Sequence, residues 1–101
     1  MNKYVKLVFV MENAVGRICI SKAGHDKGAY YTIVSVIDDK HVGVADGKIR
    51  FIGKPKKKNL RHLFIMNSAI SEIERLLAGE SVGSNLKLVA ILDAIKRGVS
   101  G

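Results

Sequence analysis

One cysteine in 101 residues excludes an internal disulfide. A chain without disulfides suits a reducing compartment, and a cytoplasmic location is the expectation. Cys19 lies within an apolar stretch and reads as a small core residue rather than a reactive thiol. The three histidines, His25, His41 and His62, have no ligand spacing, so no metal site is expected. No serine sits in a nucleophile elbow, and no Gly-Lys-Ser/Thr triplet is present to cradle a phosphate. His25 and Asp26 are adjacent and face apart on an extended segment. The expectation is a protein with no catalytic residue and no cofactor.

Long apolar runs are also missing. Val5 to Met11 is interrupted by Lys6 and is far too short to cross a bilayer. No long basic amphipathic helix is present to lie on a membrane, so none is expected as a partner. The same run makes a poor signal peptide, with a minimal apolar core and no evident cleavage site. Residues 1–14 keep two readings. Either residues 1–10 form an extension upstream of a start at Met11, or the segment adds an extra strand, because Tyr4 to Val10 is rich in β-prone residues.

Acidic residues are scarce: nine against seventeen Lys and Arg, for a net charge of +8. The excess is local. Residues 1–65 hold thirteen bases and five acids, whereas residues 66–101 hold four of each. A basic part joined to a neutral part implies that a polyanion meets the first, and nucleic acid is the commonest polyanion. The chain is short enough to be one small domain, and its 48% hydrophobic content excludes global disorder.

The first two-thirds reads as short strands with tight turns. Arg17–Ser21 alternates, and Tyr30–Ile37 is rich in β-branched and aromatic residues. Asp38-Asp39-Lys40 is a turn, and His41–Ala45 is the next strand. Asp46-Gly47 signals a hairpin leading into a strand at Lys48–Ile52. Lys54–Asn59 reads as a loop and Leu60–Ile65 as a last short strand. Five short strands at this spacing suggest a small barrel.

The last third changes period. Ile70, Ile73, Leu76 and Leu77 form a helical stripe, with Asn67 or Ser68 as cap and Gly79 as stop. Ser84 reads as the cap of a second helix, and Gly98 follows Lys96-Arg97 at its end. Gly79 to Gly83 is a short hinge. The two helices pack on the barrel or on each other, or present an apolar face to a protein partner.

Packing does not explain the cationic elements. Gly24 and Gly28 frame a turn from which Lys22, His25 and Lys27 project, a geometry suited to the phosphates of structured RNA. Lys54, Lys56, Lys57, Lys58 and Arg61 form a dense run stiffened by Pro55. Lys48 and Arg50 alternate with Ile49 and Phe51 and share one face, which Arg17 joins. Tyr30 and Tyr31 are neighbours on a strand, so one faces the core and the other is free to stack on a base, unless both are packing residues. Phe9, Phe51 and Phe64 read as core.

Residues Gly16–Leu63 resemble a KOW domain, the strand–turn–strand unit of small SH3-like barrels. They resemble more closely the L-fourteen-e family of large-subunit ribosomal proteins. The residues concerned are Val15-Gly16-Arg17, Ser21 to Gly28, Val36 to Asp39, Asp46 to Arg50, and Pro55 to Leu63. Asp46 to Arg50 and Pro55 to Asn59 look more like the bacterial branch of that family.

With the strand and helix patterns above, the expectation is a mainly β chain: a small five-stranded SH3-like barrel at 15–66 followed by two C-terminal α-helices at 67–101; the barrel is also what the resemblance implies. The resemblance implies an RNA-binding, ribosome- or translation-associated protein whose partner is ribosomal RNA. It carries that role onto Lys22, His25, Lys27, Arg50, Lys56, Lys57, Lys58 and Arg61. His25 stands where the family often has arginine, which weakens phosphate contact at neutral pH. Residues 1–14 and 66–101 lie outside the match.

Overall fold

In the computed structural model the described residues are 13–79 and 82–98. The expectations for Met11, for Phe9 and for a strand at Tyr4–Val10 lie outside them, as does the middle of the Gly79–Gly83 hinge.

Five antiparallel strands form one sheet: β1 (Arg17–Ser21), β2 (Tyr30–Val36), β3 (His41–Ala45), β4 (Lys56–Asn59) and β5 (Leu63–Ala69). Their spatial order is β4-β3-β2-β1-β5. A 3₁₀ turn at Leu60–His62 joins the two edge strands, and two helices follow, α1 (Ile73–Gly79) and α2 (Val82–Lys96). Among the described residues the chain is mainly β, and these five strands precede α1 and α2.

Alternation along the strands builds two cores, one on each face of the sheet. On the first face Ile18, Val34, Ala45 and Ile52 meet Leu76, Leu88 and Leu92 of the helices. On the second, Ala14, Cys19, Tyr31, Ile33, Val42, Val44 and Leu63 pack together, with Leu60 of the 3₁₀ turn against them. Among the described residues no second layer covers that face; the sheet covers it by curling on itself. Register shifts between Arg17 and Cys19 and between Ile33 and Ser35 supply local bends that aid the curl. The result is a small barrel-like sheet with α2 against its outer face.

The first three strands form where the sequence places them. The fourth does not. Lys48–Ile52 is not a strand, because Asp46 Oδ1 accepts the backbone N–H groups of Lys48, Ile49 and Arg50 at 2.8–2.9 Å. Those amides are then unavailable to a ladder, and Asp46–Ile52 is a compact side-chain-closed loop. Gly47 holds it against α2: a Cβ there would collide with the Asn85 carbonyl. Asn85 Oδ1 in turn accepts the Ile52 N–H at 2.9 Å.

The strand forms instead in the lysine run expected to be a loop. Lys56, Lys57 and Lys58 pair with Val44, Gly43 and Val42 of β3. Asn67 and Ser68 are no helix caps but lie in β5, and Ser84 is inside α2 rather than at its start. Gly98, with φ +74°, closes α2 as expected, its N–H reaching the Ile95 carbonyl.

Candidate functional site

The turn between β1 and β2 is closed by backbone first. Gly28 N–H donates to the Ser21 carbonyl at 2.8 Å, Ala29 to Asp26 at 2.8 Å, and Lys27 to Gly24 at 3.2 Å. Gly24 and Gly28 both adopt positive φ, +85° and +91°, which a side chain at either position would strain.

Asp26 then pins the turn from within. Its Oδ1 accepts from the Ser21 hydroxyl at 2.8 Å and from Lys58 Nζ at 2.9 Å. Its Oδ2 accepts from the Tyr31 hydroxyl at 2.8 Å and from Lys56 Nζ at 3.1 Å. Lys58 also reaches the Ala23 carbonyl at 3.3 Å. Desolvation works against a charged Asp26, but the hydrogen bonds from Lys58, Tyr31, Ser21 and Lys56 outweigh it. They hold the carboxyl well below the usual carboxylate range. Burial, then the bond to Asp26, pushes the Tyr31 hydroxyl above its ordinary range. Burial also lifts the Cys19 thiol to about 12, against the opposing pull of the Lys58 charge.

The expected site residues therefore divide. Lys22, His25 and Lys27 are exposed on the turn, and Arg61 is exposed on the 3₁₀ turn beside it. The Lys22 N–H binds the His62 carbonyl at 2.8 Å, which ties those two segments together. Along β4 the lysines alternate. Lys58, 8% exposed, and the half-buried Lys56 face Asp26, while Lys57 is exposed on the opposite face. Lys58 is thus a structural cation inside the barrel mouth.

Lys48 and Arg50 are exposed, but on the Asp46–Ile52 loop rather than on a strand face. Lys54 lies beside a groove of about 600 Å³ shared with Phe51, Val82, Asn85 and Leu86. Arg17 begins β1, at the end away from the turn, and its Nε donates to the Asn13 carbonyl at 3.0 Å.

The aromatic residues are redistributed. Tyr31 is buried on Asp26, and Tyr30 packs half-buried against the helix-side core, so both are packing residues. Phe51 and Phe64, expected in the core, are exposed. An apolar residue in a β-like stretch reads as buried unless the covering layer is known. The described residues contain no cluster of three or more His, Cys, Asp or Glu side chains placed to hold a metal ion. No helix among them is long and apolar enough to cross a membrane.

No family model matches the chain. It is 31% identical over 85 residues to the large ribosomal subunit protein eL14 of Metallosphaera sedula, covering 84% of this chain and 88% of that one. Against the protein of the same name from Desulfurococcus amylolyticus it is 41% identical over 49 residues, 48% of this chain and 51% of the relative. Both relatives are archaeal.

Proposed function

The chain belongs to the family of the large ribosomal subunit protein eL14, and we propose that it is a ribosome-associated, translation-linked RNA-binding protein with a structural rather than a catalytic role. Its partner in this reading is structured ribosomal RNA in the cytoplasm. The β1–turn–β2 unit serves in this reading as a KOW-type strand–turn–strand element, and Asp46–Arg50 and Pro55–Asn59 are of the kind the bacterial branch carries.

The observation that carries this reading is the Asp26 hub. Four hydrogen bonds converge on one carboxylate and fix the turn that displays Lys22, His25 and Lys27. A rigid turn suits phosphate oxygens, because less conformational freedom has to be lost when the RNA backbone docks. Lys57 and Arg61 add charge nearby along the chain, and Lys48, Arg50 and Lys54 extend it along the Asp46–Pro55 segment. Lys56 and Lys58 act from beneath, through Asp26.

Sedimentation of the tagged protein through a sucrose gradient, with sequencing of the RNA that crosslinks to it, tests the reading. Migration with large-subunit particles and crosslinks to ribosomal RNA are expected. Migration at the top of the gradient with no RNA crosslinks would remove it.

A second reading, contact with a protein, is favoured by the groove where Phe51, Val82 and Leu86 are all exposed. Leu86→Glu should then abolish co-sedimentation while leaving RNA affinity intact.

A further inference from the structure

Phe64 is 57% exposed although it sits within β5, in the middle of the ladder with β1. An aromatic ring left in water is the kind of exposed apolar surface that marks a contact. Its surroundings say which kind.

Phe64 pairs with Ile20 of β1, and Ile20 pairs with Tyr30 of β2. Directly opposed residues share a face, so Phe64, Ile20 and Tyr30 form one row across three strands. The inner end of the row is anchored: Tyr30 packs beneath the helices, beside Val89 and Leu92 of α2. The outer end is the Phe64 ring on an edge strand, open from the side.

A cation bounds that open end. Lys22 lies two residues beyond Ile20, and its N–H still binds the His62 carbonyl, so the β1–β5 pairing continues there. His62 is two residues before Phe64. By the two-residue period Lys22 and Phe64 project on the same side, with the exposed His62 beside them. Asp26 is the nearest acid along the β1–β2 turn, and its charge is met by Lys56 and Lys58.

We infer that Phe64 is a stacking platform for an unpaired RNA base, with Lys22 holding a flanking phosphate. The inference rests on the RNA-binding reading above and adds a ligand group to it. A flat apolar ring edged by the Lys22 charge complements a flat base carried on a negative backbone, whereas a purely apolar partner has no use for that cation. A paired base offers no free face, so the ligand is a loop, bulge or end rather than a duplex.

The test uses the full chain and three fluorescent RNAs: a hairpin with an unpaired loop, the same hairpin with an abasic loop, and a blunt duplex of equal phosphate count. Phe64→Leu keeps an apolar side chain on the strand, and Phe64→Trp keeps a stacking ring. The wild-type protein should prefer the intact loop. Phe64→Leu should lose about tenfold in affinity for that RNA and little for the other two, with an unchanged salt slope, and Phe64→Trp should restore it. An urea midpoint for each variant separates loss of fold from loss of contact. Equal binding of the intact loop by the wild type and Phe64→Leu would overturn the inference and leave the RNA reading standing. Equal losses on all three RNAs would also overturn it, because the contact would not be with a base. No binding of any probe by the wild type would sink both.

Discussion

The Lys58 ammonium, 8% exposed, lies 2.9 Å from Asp26 Oδ1 across a separation of thirty-two residues. The contact joins the lysine strand to the glycine-framed turn, and it makes Asp26 the residue on which the local structure depends. Removing the acid strands a buried cation, which is costlier than never having built the pair. Asp26→Asn should therefore destabilise the protein by about 2–4 kcal/mol, near the lower end of the range for breaking buried pairs. Adding Lys58→Met should recover part of that loss, because the stranded charge is gone. Urea unfolding of the four members of this double-mutant cycle checks it, and strictly additive losses would mean that the pair is not coupled.

The same carboxylate sets a pH response. Its pKa in the folded protein is depressed, against about 3.9 for an unfolded aspartate. Its contribution is thus fully present above about pH 4 and is lost as pH falls from there towards the folded value. The stability gap between the wild type and Asp26→Asn should hold steady from pH 7 to about 5 and shrink below about 4. A gap independent of pH down to about 2 would show that Asp26 does not act through its charge.

Much of the barrel is legible in the sequence because β1, β2 and β3 alternate or are rich in β-branched residues. The lysine strand is not, since Lys56-Lys57-Lys58 reads as a solvated run unless Asp26, far away in sequence, is known to receive two of them. Lys48–Ile52 errs in the other direction. Its alternation is real, but the Asp46 side chain takes the amides that a strand would need. The turn at Gly24–Gly28 was readable from its glycines. What turns its charges outward was not, because a single acid among many bases looks incidental in a sequence.

Docking on phosphates should show in the salt dependence. With about four to seven phosphate contacts the logarithmic slope of affinity against salt should be steep, and each lost contact should lower it by about one. The exposed residues and the buried ones then separate. Combining Lys22→Ala with Lys27→Ala should weaken binding and flatten the slope while sparing stability. Lys58→Ala should instead lower the urea midpoint. A filter-binding series across salt concentrations reads the first effect, and an unchanged slope in the Lys22/Lys27 variant would move the contact elsewhere.

Asn85 makes a prediction remote from the turn. Its Oδ1 accepts the Ile52 N–H in a buried setting, where α2 meets the Asp46–Ile52 loop. Asn85→Ala leaves that N–H without its partner and should cost about 1–3 kcal/mol. Because the loop carries Lys48 and Arg50, its loosening should also raise amide exchange at residues 48–52 without changing exchange in β1 and β2. Hydrogen exchange resolved by residue tests this, and uniform acceleration along the whole chain would show that Asn85 supports the fold globally instead.

Cys19 offers the simplest measurement. The thiol is fully buried, and its pKa is pushed up to about 12, so neither access nor thiolate is available in the folded state at neutral pH. A disulfide reagent should label it only through opening of the barrel, at a rate that rises with urea in step with unfolding. The two effects on the thiol can be told apart through Lys58, whose positive charge partly offsets the rise caused by burial. In Lys58→Met the pKa should rise further, yet labelling should be faster, since the weaker barrel opens more often. Slower labelling in that variant would mean that thiolate formation within the folded state, rather than opening, controls the reaction.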